Sequence, residues 1–293
     1  MPAAFGLGTV QFGQAYGISN ARGQVRPDEV AAILDAAADA GCAVLDTAAL
    51  YGDSEGVLGR CPAVRRFRVV SKTVQFRTGS IGPTEAAALR AGIESSLTRL
   101  RLERVHGLMI HHADDLLVPG GERLWAVLQQ ARAEGLAGRI GASVYDASQI
   151  ARLLDRYPLE IVQVPLNVLD QRLIASGQLE NLQRRGIEVH ARSVFLQGLL
   201  LMPPEMVHPR FAPVQPLLRA FHAAAAERGL TPLQAAMAFV RDRAELSAIV
   251  VGVTCVDELD QCLAAYREAV SFDAARFACA DERYVNPARW TMQ

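Results

Sequence analysis

The sequence predicts an α/β fold built from eight strand–helix units. Short apolar runs recur along the chain, and stretches with apolar residues three or four positions apart follow them. Helices that separate strands favour parallel pairing, and a closed barrel of eight units typically needs about 250 residues, fewer than the 293 present. We therefore expect a (β/α)8 TIM barrel that forms one domain over residues 1–293.

The predicted strands are the apolar runs themselves. In chain order they cover residues 5–10, 42–46, 67–72, 107–110, 139–143, 161–164, 187–191 and 248–251. A doubly wound sheet would carry Gly-x-Gly-x-x-Gly after its first strand, and Gly6-Leu7-Gly8 lacks the third glycine. The sequence therefore favours the barrel over the doubly wound sheet.

Amphipathic helices are predicted between the strands. The first begins near Pro27, with acidic residues in its first turn, and the last begins near Val256. Two segments show no clear helix or strand period. Residues 195–216 hold five of the fourteen prolines and are expected to form a long loop over the barrel mouth. Residues from about 269 to 293 are expected to form a C-terminal tail.

The composition argues against several classes of function. The net charge is −1, whereas a nucleic-acid-binding protein usually shows a strongly basic face. The first residues lack the features of a signal peptide, and no apolar run approaches the roughly 18 residues of a membrane span. The five scattered cysteines lack metal-binding spacing. We expect a cytoplasmic protein without a metal site; its oligomeric state is left open.

Three consecutive predicted strands end in residues that can perform acid–base chemistry. Asp46 ends the second strand, with Tyr51 five positions later, and Lys72 ends the third. His111 and His112 follow the fourth strand. Each residue alone also fits a structural role, but the carboxyl ends of barrel strands meet at one mouth. Together they predict a common site there.

A series of short motifs, spread over nearly the whole chain, resembles the aldo-keto reductase superfamily. Any one of these motifs occurs in many proteins, but the whole set, in the order in which the family carries it, is specific for the family. The motifs are Gly6-Leu7-Gly8-Thr9, Asp46-Thr47-Ala48-x-x-Tyr51-Gly52, Val70-Ser71-Lys72, Leu108-Met109-Ile110-His111, Ile140-Gly141-Ala142-Ser143, Val162-Gln163-Val164, Arg192-Ser193-x-x-x-Gln197-Gly198-Leu199-Leu200 and Val250-Val251-Gly252-Val253-Thr254. The amino-terminal motif and the ending Pro287-Ala288-Arg289-Trp290 resemble a bacterial branch.

The resemblance implies a catalytic tetrad of Asp46, Tyr51, Lys72 and His111. Tyr51 would be the general acid, and Lys72 would pull its pKa toward neutrality, because a nearby cation favours the phenolate. Asp46 would keep Lys72 charged. Spacing alone does not separate His111 from His112, but the family motif favours His111 as the hydrogen-bond donor to the substrate. His112 is then a candidate for the pocket wall.

The resemblance also implies a nicotinamide cofactor, with NADP(H) favoured and NAD(H) possible. Ser143 and Gln163 match residues that hold the carboxamide, and Arg192 stands where the family stacks an aromatic ring on the nicotinamide. The full set of matching cofactor positions is Gly8, Thr9, Asp46, Ser143, Gln163, Arg192, Ser193, Gln197, Gly198, Leu199 and Thr254. The helix after Thr254 would offer free backbone N–H groups to a phosphate.

One departure from the family affects the choice of cofactor. Glu258 lies near the place of an arginine that binds the 2′-phosphate of NADP(H) in relatives. We expect weak discrimination, with NADPH still usable, and Arg241 or Arg243 could supply a replacement cation.

The residues predict an oxidoreductase that transfers a hydride between NAD(P)(H) and a small aldehyde, ketone or sugar-like carbonyl. Two other classes remain open. A lyase or aldolase could use Lys72 to form a Schiff base, which requires a neutral amine. A nicotinamide-binding regulatory subunit would bind the cofactor with little turnover.

Overall fold

A closed barrel of eight parallel strands organises the protein, and each strand is bonded to its neighbours in chain order. The computed structural model describes residues 2–290; Met1 and residues 291–293, the ends of the predicted domain and tail, lie outside it. The predicted (β/α)8 TIM barrel is confirmed, with a strand at each predicted position. The strands are β1 Ala4–Gly8, β2 Val44–Asp46, β3 Arg68–Lys72, β4 Val105–Ile110, β5 Ala137–Ser143, β6 Ile161–Pro165, β7 Glu188–Arg192 and β8 Ala248–Gly252.

Helices surround the barrel, and the first long helix and the last long helix begin where the sequence predicts. They are α1 Val10–Gly13, α2 Pro27–Asp39, α3 Ser54–Arg60, α4 Pro83–Leu100, α5 Glu122–Ala133, α6 Ala147–Leu154, α7 Arg172–Ala175, α8 Gln178–Arg184, α9 Gln215–Glu227, α10 Pro232–Arg241, α11 Val256–Arg267 and α12 Glu282–Val285. Within residues 2–290, no helix is long and apolar enough to cross a membrane.

The segment predicted as a long loop is partly structured. It contains three short 3-10 turns, at Leu196–Gly198, Pro204–Met206 and Pro209–Val214, and α9 begins directly after the last. Phe211 is buried in this segment and meets Trp290 of the C-terminal tail edge-on, with ring centroids 4.8 Å apart. The loop and the tail therefore pack against each other.

The strand register brings the predicted site residues to one end of the barrel. Gly8 pairs with Asp46 on one side and with Gly252 on the other. Ser143, the last residue of β5, likewise pairs with Gln163 of β6. Because parallel strands run in one direction, their last residues lie around the carboxyl-terminal mouth. Below it, the barrel interior is filled by the fully buried side chains of Val44, Val70, Met109, Ile161 and Ala248.

A charged cluster closes the opposite, amino-terminal end of the barrel. The Glu188 carboxylate accepts a hydrogen bond from His190 Nε2 at 2.8 Å and from His106 Nε2 at 3.0 Å. Arg139 Nε lies 2.8 Å from its second oxygen. Burial raises the pKa of Glu188, but the hydrogen bonds from the two histidines outweigh it and leave the pKa well below its usual value. Glu188 thus links β4, β5 and β7 as a carboxylate.

We expect Glu188→Gln to lower the free energy of unfolding at pH 7 by about 1–3 kcal/mol, because the substitution leaves neighbouring donors without an anion. A lowered pKa in the folded state stabilises the protein above the pKa of the unfolded state, about 4.3, and this stabilisation is lost on acidification. Between pH 6 and pH 3, the free energy of unfolding should therefore fall more for the wild type than for the variant. Urea unfolding at each pH measures this difference. Glu94→Gln, on an exposed pair with Arg90, is the control. Equal acid sensitivity of wild type and Glu188→Gln would contradict this account.

Candidate active site

A buried ion pair lies at the centre of the carboxyl-terminal mouth. Lys72 Nζ donates to both oxygens of the Asp46 carboxylate, at 2.8 and 2.7 Å, and to the carbonyl oxygen of Thr47 at 3.2 Å. The Lys72 side chain is only 1% exposed. Burial alone would lower the pKa of Lys72, but Asp46 and Tyr51 raise it by more, so the pKa lies above its usual value. The amine is therefore held as a cation.

Tyr51 completes this group at the surface of the pocket. Lys72 Nζ lies 3.2 Å from the Tyr51 hydroxyl and 4.9 Å from the centre of its ring. The distance is well inside the ~6 Å over which one charge shifts the pKa of another group. The predicted proximity of the two side chains is present.

Close backbone packing fixes the turn that carries Tyr51. A β-carbon on Gly13 would stand 1.7 Å from the carbonyl oxygen of Tyr51, and one on Gly52 would stand 2.1 Å from the carbonyl oxygen of Gly13. Gly52 also has a φ of +55°, which favours glycine. The Ser54 hydroxyl donates to the carbonyl oxygen of Thr9 at 2.9 Å. Glycine at positions 13 and 52 is therefore what allows the turn to approach α1 this closely.

The pKa of Tyr51 differs from the sequence-based expectation. Burial raises the pKa of the hydroxyl above its usual value of about 10, and the adjacent Lys72 offsets only part of that rise. Lys72 acts in the expected direction, but the net shift of the Tyr51 pKa is upward, opposite to the expectation. Tyr51 therefore carries its proton at neutral pH.

His111 faces Tyr51 as a neutral imidazole. The two rings meet edge-on with centroids 5.8 Å apart. Burial lowers the pKa of His111 to about 3, and the positive charges of Lys72 and Arg192 contribute to the shift. A neutral ring can donate from one nitrogen and accept at the other.

His112 points to a different partner and does not line the pocket. Its Nδ1 atom lies 3.0 Å from the carboxylate of buried Asp115. That carboxylate also accepts from the backbone N–H groups of Phe76 and Arg77, both at 2.9 Å. The interpretation of His112 as a wall residue is therefore wrong, because Asp115 draws its ring into the contact between the β3 and β4 loops.

A cavity of about 790 Å³ opens beside these residues and extends across the barrel mouth. Of the predicted cofactor positions, all but one line it: Gly8, Thr9, Asp46, Ser143, Gln163, Arg192, Ser193, Gln197, Gly198 and Thr254. The exception is Leu199, whose side chain is fully buried in the hydrophobic core. Leu199 is therefore not part of the cavity lining, and its place in a segment that covers the pyrophosphate stays a prediction.

Several buried polar atoms that line the cavity have no partner among the described residues. They are Gln11 Oε1, His111 Nδ1, Gln163 Oε1 and Thr254 Oγ1. Gln163 is fully buried, and its Nε2 donates to the Asp46 carboxylate at 2.7 Å. Its Oε1 has no hydrogen-bond donor within residues 2–290. Buried polar groups are nearly always hydrogen-bonded in proteins, and a ligand can complete them. Two of these atoms are amide oxygens that only accept, so the set fits a molecule that carries amide N–H and hydroxyl groups, such as a nicotinamide dinucleotide.

The start of α11 offers fewer free N–H groups than the sequence predicts. The backbone N–H of Thr254 donates to Glu258 Oε2 at 2.7 Å. The N–H of Val256 donates to Glu29 Oε1 at 3.2 Å. Both groups are therefore bonded to carboxylates, and the expectation of free N–H groups is wrong for Thr254 and Val256.

The two arginines considered as substitutes lie elsewhere. Arg241 pairs with Asp242 at 2.5 Å and donates to the carbonyl oxygen of Val270 at 2.8 Å. Arg243 packs over the ring of Phe239, 4.7 Å from its centre. Neither residue lines the cavity.

The cavity also has walls that sequence reasoning missed. Tyr145 stacks against Arg192, with the guanidinium carbon 4.4 Å from the ring centre. Gln197 Nε2 donates to the Tyr16 hydroxyl at 3.1 Å, which joins the loop after β1 to the segment after β7. Gln11 could have been found from the sequence, because it lies two residues after the motif Gly6-Leu7-Gly8-Thr9. Tyr16 and Tyr145 lie in loops with no distinctive spacing.

Across residues 2–290, no group of three or more His, Cys, Asp or Glu side chains is placed to hold a metal ion. The fold and the site together define a barrel enzyme with acid–base groups at its carboxyl-terminal mouth.

A family model described as the aldo/keto reductase family matches residues 4–283. The chain therefore belongs to the aldo/keto reductase family, and it is an oxidoreductase that acts on carbonyl compounds.

Two curated relatives and one solved structure are similar over much of the chain. The L-galactose dehydrogenase of Arabidopsis thaliana is 28% identical over 287 residues, which cover 92% of this chain and 86% of that protein. The NADH-specific methylglyoxal reductase of Escherichia coli (strain K12) is 30% identical over 179 residues, 55% of this chain and 54% of that protein. The holo form of an aldo-keto reductase from Bacillus halodurans shares the fold, with a TM-score of 0.74, 18% identity, and coverage of 98% and 95% of the two chains.

Lys72 and Asp46 should be strongly coupled in stability. Lys72→Met or Asp46→Asn alone should cost about 3–5 kcal/mol, because each leaves a buried partner charge uncompensated. The double variant should lose at least about 1 kcal/mol less than the sum of the single losses, as measured by urea unfolding. Arg26 and Asp28 form the control pair, at the same 2.7 Å separation but largely exposed, and should show little coupling. Additive losses for Lys72 and Asp46 would contradict the buried-pair account.

Proposed function

We propose that this chain transfers a hydride between a nicotinamide nucleotide and a small aldehyde, ketone or sugar-like carbonyl, with Tyr51 as the general acid. The observation that carries the proposal is the contact of Lys72 Nζ with both the Asp46 carboxylate and the Tyr51 hydroxyl. The bound nicotinamide supplies the hydride. The chain itself supplies the proton, the orientation of the carbonyl and the exclusion of water.

Tyr51 suits proton donation in the direction of carbonyl reduction. Its raised pKa keeps the proton on the hydroxyl at neutral pH. When the proton moves to the developing alkoxide, the Lys72 ammonium stabilises the phenolate that remains. Asp46 keeps that ammonium charged and oriented, as both of its oxygens accept from Lys72 Nζ.

His111 would orient the carbonyl oxygen as a hydrogen-bond donor. Its pKa of about 3 keeps it neutral over the whole physiological range, so it does not compete with Tyr51 as the acid. A neutral donor next to a cationic Lys72 also avoids a second positive charge in the pocket.

The nicotinamide end of the cavity is defined by Ser143 and Gln163, on paired strands. Gln163 would accept from the carboxamide through its unpartnered Oε1, and Ser143 would contact the same group. Arg192 Nη2 donates to the carbonyl oxygen of Val144, the residue after Ser143, at 3.2 Å. The Arg192 guanidinium would therefore form the cavity wall against the nicotinamide ring. NADP(H) is favoured by the sequence resemblance, and NAD(H) is compatible with the same contacts.

The substrate class follows from the cavity wall and the relatives. Gln14, Gln75 and Tyr145 present hydrogen-bonding groups to the cavity, which suits a hydroxylated or small polar carbonyl compound. One relative is named for L-galactose and another for methylglyoxal. The five cysteines are free thiols, and we propose a cytoplasmic location, where thiols stay reduced.

A Schiff-base reaction at Lys72 has less support. Imine formation needs a neutral, accessible amine, whereas Lys72 is buried, paired with Asp46 and raised in pKa. A regulatory subunit without turnover would need no proton donor beside the carbonyl site, and no observation favours it over the enzyme.

We expect Tyr51→Phe to lower carbonyl reduction by about 10²–10⁴-fold, because it removes the proton donor. The dissociation constant for the cofactor, followed by protein fluorescence, should change little since the carboxamide contacts are intact. Tyr284→Phe is the control, because it removes a phenol that lies outside the cavity lining. Near wild-type turnover in Tyr51→Phe would show that another group is the acid.

A further inference from the structure

We propose that Glu29 and Glu258 select NAD(H) over NADP(H) at the adenosine end of the cavity. The inference rests on the proposed use of a nicotinamide dinucleotide. It goes further than the sequence-based expectation of weak discrimination, because the structure adds a second carboxylate from a distant helix.

Glu258 lies in the first turn of α11 and lines the cavity. Its carboxylate folds back over the start of the helix and accepts from the N–H of Thr254 at 2.7 Å. That N–H belongs to the residue just before the N-cap Cys255, next to the N–H groups that a helix start offers to a phosphate. A 2′-phosphate at this place would have to displace a side chain of the same sign.

Glu29 reaches the same helix start from α2, although Glu29 itself is not among the residues that line the cavity. Its Oε1 atom accepts from the N–H of Val256 at 3.2 Å, although the two residues are 227 positions apart. Two carboxylates from different helices thus cover the amino-terminal end of α11. Like charges at this range repel, and a phosphate monoester carries nearly two negative charges at neutral pH.

An independent observation places a ligand group here. Thr254 is 8% exposed, lines the cavity, and its Oγ1 has no partner within residues 2–290. A ribose hydroxyl can satisfy this oxygen and donate to a carboxylate at the same time. A carboxylate that accepts from the ribose 2′-hydroxyl is a known device for recognising NAD(H).

Among residues 2–290, the cavity lining supplies only two permanently positive side chains that could compensate the two acids. The basic residues lining the cavity are Arg22 and Arg192. Arg192 stands at the nicotinamide end, bonded next to Ser143. Arg22 is exposed on the loop after β1, where Asn20 accepts from its backbone N–H at 2.8 Å. Arg22 is therefore the one cation that must be tested as a phosphate ligand.

The experiment measures dissociation constants of the full chain for NADH and NADPH by cofactor fluorescence, at low and moderate salt. NADH should bind more than about threefold tighter than NADPH, and Glu258→Gln and Glu29→Gln should each reduce that ratio by roughly threefold or more. Added salt should also reduce the preference for NADH over NADPH, because it screens the repulsion between the carboxylates and the 2′-phosphate. Asp257→Asn is the matched control, since it removes an exposed acid from the same helical turn outside the cavity.

The outcomes separate the inference from the proposed function. A wild-type ratio below about threefold, or a ratio unchanged by both glutamine variants, would overturn the inference. So would NADPH binding that weakens with salt and is lost in Arg22→Ala, because a cation would then hold the phosphate. Failure of the wild type to bind either cofactor would overturn the proposed function instead. Unfolding curves of the variants show whether a changed ratio reflects lost structure.

Discussion

The ion pair between Lys72 and Asp46 is the constraint on which the rest of the site depends. A charge with 1% exposure is very costly unless a partner and further hydrogen bonds replace water. Asp46 supplies the partner, the carbonyl oxygen of Thr47 and the hydroxyl of Tyr51 supply the bonds, and Gln163 completes the carboxylate. Because these groups come from β2, β3, β6 and the loop after β2, the pair also fixes how the strand ends face one another.

The charges along the cavity are distributed unevenly. Lys72 and Arg192 make the nicotinamide end positive, and together with burial they keep His111 neutral. Glu29 and Glu258 make the opposite end negative and occupy the first backbone N–H groups around the start of α11. In the proposed mechanism, the positive end would stabilise a phenolate and a developing alkoxide, whereas the negative end would act on the remote part of the cofactor. The two proposals thus place the chemistry and the selection of the cofactor at different ends of the cavity.

The sequence predicted most of the barrel and much of the geometry of the candidate site, because both depend on local pattern. A buried strand is visible as an apolar run, and a residue that ends such a run must lie at the mouth, as Asp46 and Lys72 do. Contacts between remote loops have no such signal. Nothing in the sequence connects Glu29 to Val256, or turns His112 toward Asp115. The raised pKa of Tyr51 likewise depends on burial, which is decided by the whole fold rather than by the motif.

The most direct test of the central claim is to follow the transferred hydrogen. The protein is incubated with an aldehyde and a reduced nicotinamide cofactor that carries deuterium at both C4 positions, and the alcohol is analysed by nuclear magnetic resonance. Hydride transfer at a site with Tyr51 as the acid predicts one deuterium on the former carbonyl carbon and a solvent proton on its oxygen. An alcohol without deuterium at that carbon, or a substrate trapped on Lys72 by borohydride, would contradict the account.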